Sequence, residues 1–250
     1  GSSIRLIIDS NSRISLSNND SGTDNTVFGY AAGANIDAGS NYNVYIGHQT
    51  AGNGTHNDAV MNTAVGYRAM YPLTSGDYNT ALGHFALQAN TTASYNTAVG
   101  RVAACGNTTG TWNTVIGYAA FMTNTTGSYN TASGMYALRN NQTGCRNVAT
   151  GVRALGANTS GDFNTATGTC SLYSNTEGCN NVSTGFNSLL SNTTGHCNTA
   201  IGNHALKSNT TAAYNTAIGS QSLYNNTTGT GNNASGTQSL LSNTTGCNNV

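Results

Sequence analysis

An asparagine recurs every 17 residues from Asn62 to the end of the chain, and this repeat constrains the fold more than any other feature. The anchors are Asn62, Asn79, Asn96, Asn113, Asn130, Asn147, Asn164, Asn181, Asn198, Asn215, Asn232 and Asn249. Two earlier copies begin at Asn25 and Asn43, with spacings of 18 and 19 residues. A 17-residue unit cannot hold two helices with turns, but it can hold two short strands and two turns. Such a unit buries little alone, so stacked units must supply the core. The sequence therefore predicts an all-β parallel solenoid.

The turns of the unit are marked by glycine and asparagine. With the anchor as position 1, position 5 is glycine in all thirteen complete copies. A glycine fixed at one place indicates a backbone with positive φ or a very close approach. Structural turn glycines are predicted at Gly66, Gly83, Gly100, Gly117, Gly202 and Gly219. A second turn reads Asn-Thr-Thr-Gly, as at residues 107–110.

The core is predicted from strand periodicity. Residues two apart share a face of a strand, so positions 2 and 4 are expected to point inward. Position 3 is almost always alanine and is expected on the other face, close against a neighbour. Leucine recurs at position 9 as a second inward column. The predicted core is Val65, Leu82, Leu87, Val99, Ile116, Leu138, Ile201, Leu206, Ile218 and Leu223. Polar residues at position 4 predict a weaker core in four middle copies, at Ser133, Thr150, Thr167 and Thr184.

The repeat divides the chain into three parts. Residues 1–24 predict two strands, 4–8 and 13–16, that form a β-hairpin cap or connector. Residues 25–61 hold the irregular first repeats, and residues 62–250 form the regular array, which we expect to continue beyond this segment. Thirteen copies stacked about 4.8 Å apart predict a rod roughly 60 Å long. Stacked asparagine side chains are expected to hydrogen-bond along a ladder.

Low charge argues against several classes of function. Charged residues are 6% of the chain, with a net charge of zero, where about 25% is typical. We therefore expect no nucleic-acid partner, and the lack of a long apolar run predicts no membrane insertion. The eight acidic residues are dispersed, and we expect no groove that collects charged side chains. The chain is accordingly predicted to be no enzyme and to need no cofactor.

Cysteine and histidine offer no predicted metal site. The six cysteines include no C-x-x-C pair. Cys145 and Cys179 share a column two coils apart, roughly 9–10 Å, which exceeds the reach of a disulfide, about 7 Å. Free thiols are the expected state, with inter-chain bonding as the alternative. His196, Cys197 and His204 lie close in sequence without a carboxylate cluster.

An aromatic residue often precedes the anchor, at position 17. The strongest run is Tyr78, Tyr95, Trp112 and Tyr129. An exposed aromatic ladder could contact the faces of sugars. The alternative is that these rings shield the edge of the solenoid or pack between chains. The column lapses at Arg146, Asn180, Cys197 and Gly231, which weakens a continuous binding strip.

The motif Asn-Thr-Ala-Ile-Gly, at residues 198–202 and 215–219, resembles the Ser-Val-Ala-Ile-Gly repeat of trimeric autotransporter adhesin heads. The longer unit, with Ala-Leu and then Asn-Thr-Thr-Gly, resembles repeats of bacteriophage tail fibres. The resemblance runs from about residue 25 to the end. It implies a left-handed β-roll in a homotrimer. The implied function is a structural or adhesive fibre segment, a tail-fibre shaft or head on a virion.

The resemblance also implies partners. These are other fibre or baseplate proteins and a host surface glycan or protein receptor. The alternative setting is a bacterial surface adhesin of the trimeric autotransporter type. Regular threonine columns can also order water, as in ice-binding solenoids, but the predicted inward orientation of the threonines argues against that function.

Overall fold

A computed structural model of the chain describes residues 14–15 and 24–250 and confirms the predicted parallel β-solenoid. Its strands are β1 (Ile14–Ser15), β2 (Thr26–Phe28), β3 (Val44–Ile46), β4 (Thr63–Val65), β5 (Thr80–Leu82), β6 (Thr97–Val99), β7 (Thr114–Ile116), β8 (Thr131–Ser133), β9 (Val148–Thr150), β10 (Thr165–Thr167), β11 (Val182–Thr184), β12 (Thr199–Ile201), β13 (Thr216–Ile218) and β14 (Asn233–Ser235). They form one sheet in sequence order. From β2 onward each strand pairs parallel with the next, and equal repeat positions stand side by side, as Thr165, Val182 and Thr199 do.

Each coil holds one strand, at positions 2 to 4, and not the two strands that the sequence predicted. The second segment cannot be extended, because positions 7 and 9 have positive φ, as at Tyr136 (61°) and Leu138 (48°). Non-glycine residues rarely adopt this conformation. The segment still stacks in register. The Tyr136 N–H donates to the carbonyl of Tyr118 in the preceding coil (3.1 Å), and the Leu138 N–H to that of Ala154 in the following coil (3.0 Å).

The strands face the opposite way from the prediction. The position 3 alanines are buried, and positions 2 and 4 point to solvent. The predicted core is therefore wrong at the six strand positions Val65, Leu82, Val99, Ile116, Ile201 and Ile218, of which Val65 and Val99 are half-buried and the other four exposed. The leucines Leu87, Leu138, Leu206 and Leu223 are fully buried. Period two tells which side chains share a face, but not which face is inside.

The small residue at position 3 reflects a narrow interior. Positions 3 and 8 meet across the coil, as the hydroxyl oxygens of Ser183 and Ser188 show at 2.6 Å. Ser171, at position 8 of the preceding coil, donates to the Ser183 hydroxyl oxygen (2.7 Å). In the regular coils, from Asn62 onward, both positions hold alanine or serine except for Val115, and the residue at position 9, which is leucine in most coils, fills the remaining space. The prediction of a weaker core in the four middle copies is wrong, because position 4 faces outward and the core does not contain Ser133, Thr150, Thr167 and Thr184.

Two asparagine ladders run through the buried interior, at positions 1 and 12. In the coil that begins at Asn113, the anchor Nδ2 donates to Asn96 Oδ1 in the preceding coil (3.1 Å) and to the Gly127 carbonyl in its own coil (3.0 Å). At position 12 of that coil, Asn124 Nδ2 also donates to the Gly127 carbonyl (3.0 Å). From the coil of Asn79 onward, the two ladders therefore close the coil on one shared carbonyl. They satisfy buried polar groups without any charge.

The amino-terminal expectation is tested only in part. The predicted first strand and the turn after it, residues 4–12, lie outside the described residues. Within the second predicted strand, the described pair Ile14–Ser15 runs antiparallel to β2. Across the described ranges the structure contains no helix able to span a bilayer.

Candidate binding surfaces

The outward side chains of positions 2 and 4 form one continuous surface, the sheet face. Position 2 is threonine in most coils, valine in three, and asparagine at Asn233. Position 4 is large and apolar in six consecutive coils, at Phe28, Ile46, Val65, Leu82, Val99 and Ile116, then hydroxylated in four coils, and apolar again at Ile201 and Ile218. Ile116 is 47% exposed and Ile218 44%. No charged residue occupies position 2 or 4 of any complete coil.

The sheet face is bounded by the glycine turn at position 5. These glycines have φ between 119° and 140°. A Cβ placed on Gly151 would lie 2.7 Å from both the carbonyl carbon and oxygen of Gly168 in the next coil. Only glycine meets both the conformation and the close approach. The predicted turn glycines Gly66, Gly83, Gly100, Gly117, Gly202 and Gly219 all share this geometry.

Position 17 forms a second surface, the aromatic column. Tyr78, Tyr95, Trp112 and Tyr129 are each about half exposed. Their ring centroids are 4.9, 4.1 and 6.4 Å apart in order, and successive ring planes are within 7° of parallel. The sequence predicted that the aromatic column is interrupted at Arg146, but the column continues there. The guanidinium carbon of Arg146 lies 5.4 Å from the Tyr129 centroid and 5.2 Å from that of Phe163.

This geometry limits what the aromatic column can bind. Trp112 stacks on Tyr95 at 4.1 Å and Tyr78 lies 4.9 Å from Tyr95, in nearly parallel planes, so part of each of these ring faces is covered. A sugar that stacks on an aromatic ring needs a free face. The column therefore favours a packing role, because aromatic stacks and cation–π contacts each contribute about 0.5–1.5 kcal/mol.

A mixed column stands at position 6. Tyr30 stacks on His48 with centroids 5.0 Å apart, and Tyr67 stacks on His84 at 5.2 Å. Further along, Arg101 Nη1 donates to the Tyr118 hydroxyl oxygen (3.3 Å). These contacts join neighbouring coils from outside, as the asparagine ladders do from inside.

The thiols and imidazoles are dispersed. All six cysteines are free. Burial raises the pKa of the Cys105 thiol, whereas a hydrogen bond from the Thr230 backbone lowers the pKa of Cys247. Burial also lowers the pKa of His56, whose Nε2 lies 2.9 Å from the Ala51 carbonyl. In the part of the chain that the structure describes, no three His, Cys, Asp or Glu side chains are placed to hold a metal ion.

Sequence reasoning missed the sheet face and the place of Arg146. One signal could have revealed the first: position 3 keeps a small residue in nearly every copy, whereas position 4 ranges from Phe28 to Thr167. Such variation is typical of a surface, and constancy of size is typical of a narrow core. The sequence does not indicate that an arginine continues a ring stack.

No protein-family model matches this chain, and no curated protein and no solved structure matches it either.

Proposed function

We propose that this chain is a structural and adhesive fibre segment that assembles with further copies of itself through the sheet face. One observation carries the proposal: six consecutive coils carry an apolar side chain at position 4 that is exposed or half-buried, in register along one sheet. The homotrimer is the assembly that the repeat resemblance implies. The same resemblance favours a bacteriophage tail fibre on a virion, with a bacterial surface adhesin as the alternative setting.

Three properties of the sheet face favour identical copies as its occupant. A face without charge does not repel its own copy, whereas like charges across an interface cost several kcal/mol. The coil spacing is the same in every copy, so the ridges of one chain match the grooves of another along the whole length. The sheet face has an area of roughly 600 Å², calculated from a length of about 58 Å and a width of about 10 Å. This approaches the area of about 800 Å² per partner in stable interfaces.

The test is the molar mass of the full chain in solution, by light scattering after gel filtration. One chain is 25.6 kDa, and we expect three times that mass. Ile116→Asp, which adds a charge to the sheet face, should give a lower mass. Thr126→Asp adds the same charge at an exposed turn position and should leave the mass unchanged. A monomeric wild-type chain would overturn the proposal.

A second candidate is ice binding, and one observation favours it. The threonines of position 2, expected inside the coil, lie on the solvent side. The regular sheet face thus offers hydroxyl and methyl groups together. Only one coil has threonine at both positions, Thr165 and Thr167. Measurable thermal hysteresis from a monomeric chain would favour this function over the fibre, and its absence would exclude it.

A further inference from the structure

Cationic side chains are rare on this chain, and two of them meet at one cleft. Among the described residues the cationic side chains are Arg68, Arg101, Arg139, Arg146, Arg153 and Lys207. Arg139 and Arg153 line a cleft of about 180 Å³ together with Tyr136, Asn140, Gly156 and Tyr173. These residues lie at positions 7, 10 and 11, away from the sheet face.

The cleft exists because of one missing side chain. Position 10 points outward. In the regular coils, in order along the chain, it is occupied by Tyr71, Gln88, Cys105, Met122, Arg139, Gly156, Tyr173, Leu190, Lys207, Tyr224 and Leu241. Gly156 is the one glycine in this column, so it leaves a notch one coil high between Arg139 and Tyr173. A Cβ on Gly156 would lie 2.9 Å from Tyr173 Cε2. The tyrosine ring therefore occupies part of the vacated space and forms one wall of the notch.

The positive charge of the cleft meets no counterion in the part of the chain that the structure describes. Within residues 24–250, neither Arg139 nor Arg153 forms an ion pair with a carboxylate. The Arg139 guanidinium carbon lies 5.0 Å from the Tyr136 ring centroid, which holds the group at the cleft. Arginine presents a planar fork of donors that matches a carboxylate or sulfate in two parallel hydrogen bonds. Two such groups beside one notch select an anion.

The remaining walls favour a sugar over a simple anion. They are mainly polar: Tyr136 and Tyr173 carry hydroxyl groups and Asn140 carries an amide. These groups can hydrogen-bond to the hydroxyl groups of a pyranose, which a simple anion lacks. Pockets that bury drug-sized ligands measure about 300–1,000 Å³, so this smaller cleft suits one ring of a longer chain.

We propose that this cleft binds an acidic sugar residue, one pyranose ring that carries a carboxylate or a sulfate. The inference rests on the proposed function, because a surface fibre would meet such sugars on a host envelope. Each copy in an assembly brings one cleft, so weak single contacts add up through multivalency. An extended nucleic-acid backbone does not fit, since the chain as a whole is neutral.

The experiment is ligand-observed NMR titration of the full chain with four probes: glucuronate, glucose 6-sulfate, methyl glucoside and inorganic sulfate. We expect at least one of the two acidic sugars to bind at least about tenfold more tightly than methyl glucoside, because hydrogen bonds to charged groups contribute about 1.5–3 kcal/mol. Preferential binding of glucuronate would identify a carboxylate as the bound group, and preferential binding of glucose 6-sulfate would identify a sulfate. If neither acidic sugar shows this preference, or if inorganic sulfate binds as tightly, the assignment to an acidic sugar is wrong.

Three variants locate the binding. Arg139→Gln combined with Arg153→Gln should reduce the affinity at least about tenfold. Gly156→Gln fills the notch with a side chain that the column already holds at Gln88 and should abolish binding. Arg101→Gln removes a cation outside the cleft and should leave the affinity unchanged. Binding that survives Gly156→Gln would overturn the proposal. The molar mass is a separate readout: a monomer that still binds glucuronate refutes the fibre but not the cleft.

Discussion

Two asparagines of equal burial should differ in their contribution to stability, because only one of them holds a backbone amide. Asn164, at position 1, accepts through its Oδ1 from the Asn181 backbone N–H (3.0 Å) and from Asn181 Nδ2 (3.1 Å). Asn175, at position 12, accepts only from Asn192 Nδ2 (2.9 Å). Both asparagines donate to the Gly178 carbonyl, so that oxygen keeps one partner when either is removed.

The difference can be estimated from these bonds. Asn164→Ala leaves the buried Asn181 N–H without an acceptor, and such a group costs about 1–3 kcal/mol. Asn175→Ala loses side-chain bonds alone, and Asn192 Nδ2 keeps its bond to the Gly195 carbonyl (2.9 Å). We expect the free energy of unfolding to fall by about 2–4 kcal/mol for Asn164→Ala and by about 1–2 kcal/mol for Asn175→Ala.

The assay is urea denaturation of the full chain, followed by circular dichroism. Hydrogen exchange at the Asn181 amide supplies the local readout, and its protection should fall in Asn164→Ala and stay in Asn175→Ala. The decisive comparison is whether Asn164→Ala lowers the free energy of unfolding more than Asn175→Ala does. If Asn175→Ala destabilises as much as Asn164→Ala, the backbone amide is not what the anchor column protects.

Four further changes test other parts of the structure. Leu138→Ala should lower the free energy of unfolding by about 2–5 kcal/mol in urea denaturation, because Leu138 is fully buried. Gly151→Ala should destabilise the fold in the same assay, since a Cβ there meets backbone atoms at 2.7 Å. Arg146→Ala should cost about 0.5–1 kcal/mol through its lost cation–π contacts, and no change would refute a stack through Arg146. Burial lowers the pKa of His56, so the unfolded chain binds its proton more readily; the melting temperature should therefore fall as pH drops through about 6.5, and His56→Gln should reduce this dependence.

The repeat alone predicted the stacking, the parallel pairing and the glycine turns. Each follows from a constraint that acts identically in every copy: a narrow coil needs a residue without Cβ at position 5, and equal coils place equal residues side by side. Which face of the strand is inside did not follow. That depends on how close the second segment approaches, and its positive φ values at positions such as Tyr136 and Leu138 leave no trace in a residue pattern.

The surfaces were less predictable than the core. The aromatic residues of position 17 were visible as a column, but ring orientation decides whether faces or edges reach solvent. The cleft at Gly156 depends on the lack of a side chain at position 10 in one copy. A search for residues that all copies share overlooks such a difference. Its two arginines come from neighbouring coils, 14 residues apart in sequence, and only the stacking brings them to one notch.

The direction of the hydrogen bonds has a mechanical consequence. Bonds between coils, such as that from the Val148 N–H to the Asn164 carbonyl (2.8 Å), join each coil to the next along the stacking direction. A pull along the stack would load these bonds one coil at a time. Each 17-residue coil that peels away would release about 55 Å of chain while its neighbours keep their own contacts. Such a segment would lengthen in equal steps under tension and would act as an extensible tether as well as a spacer.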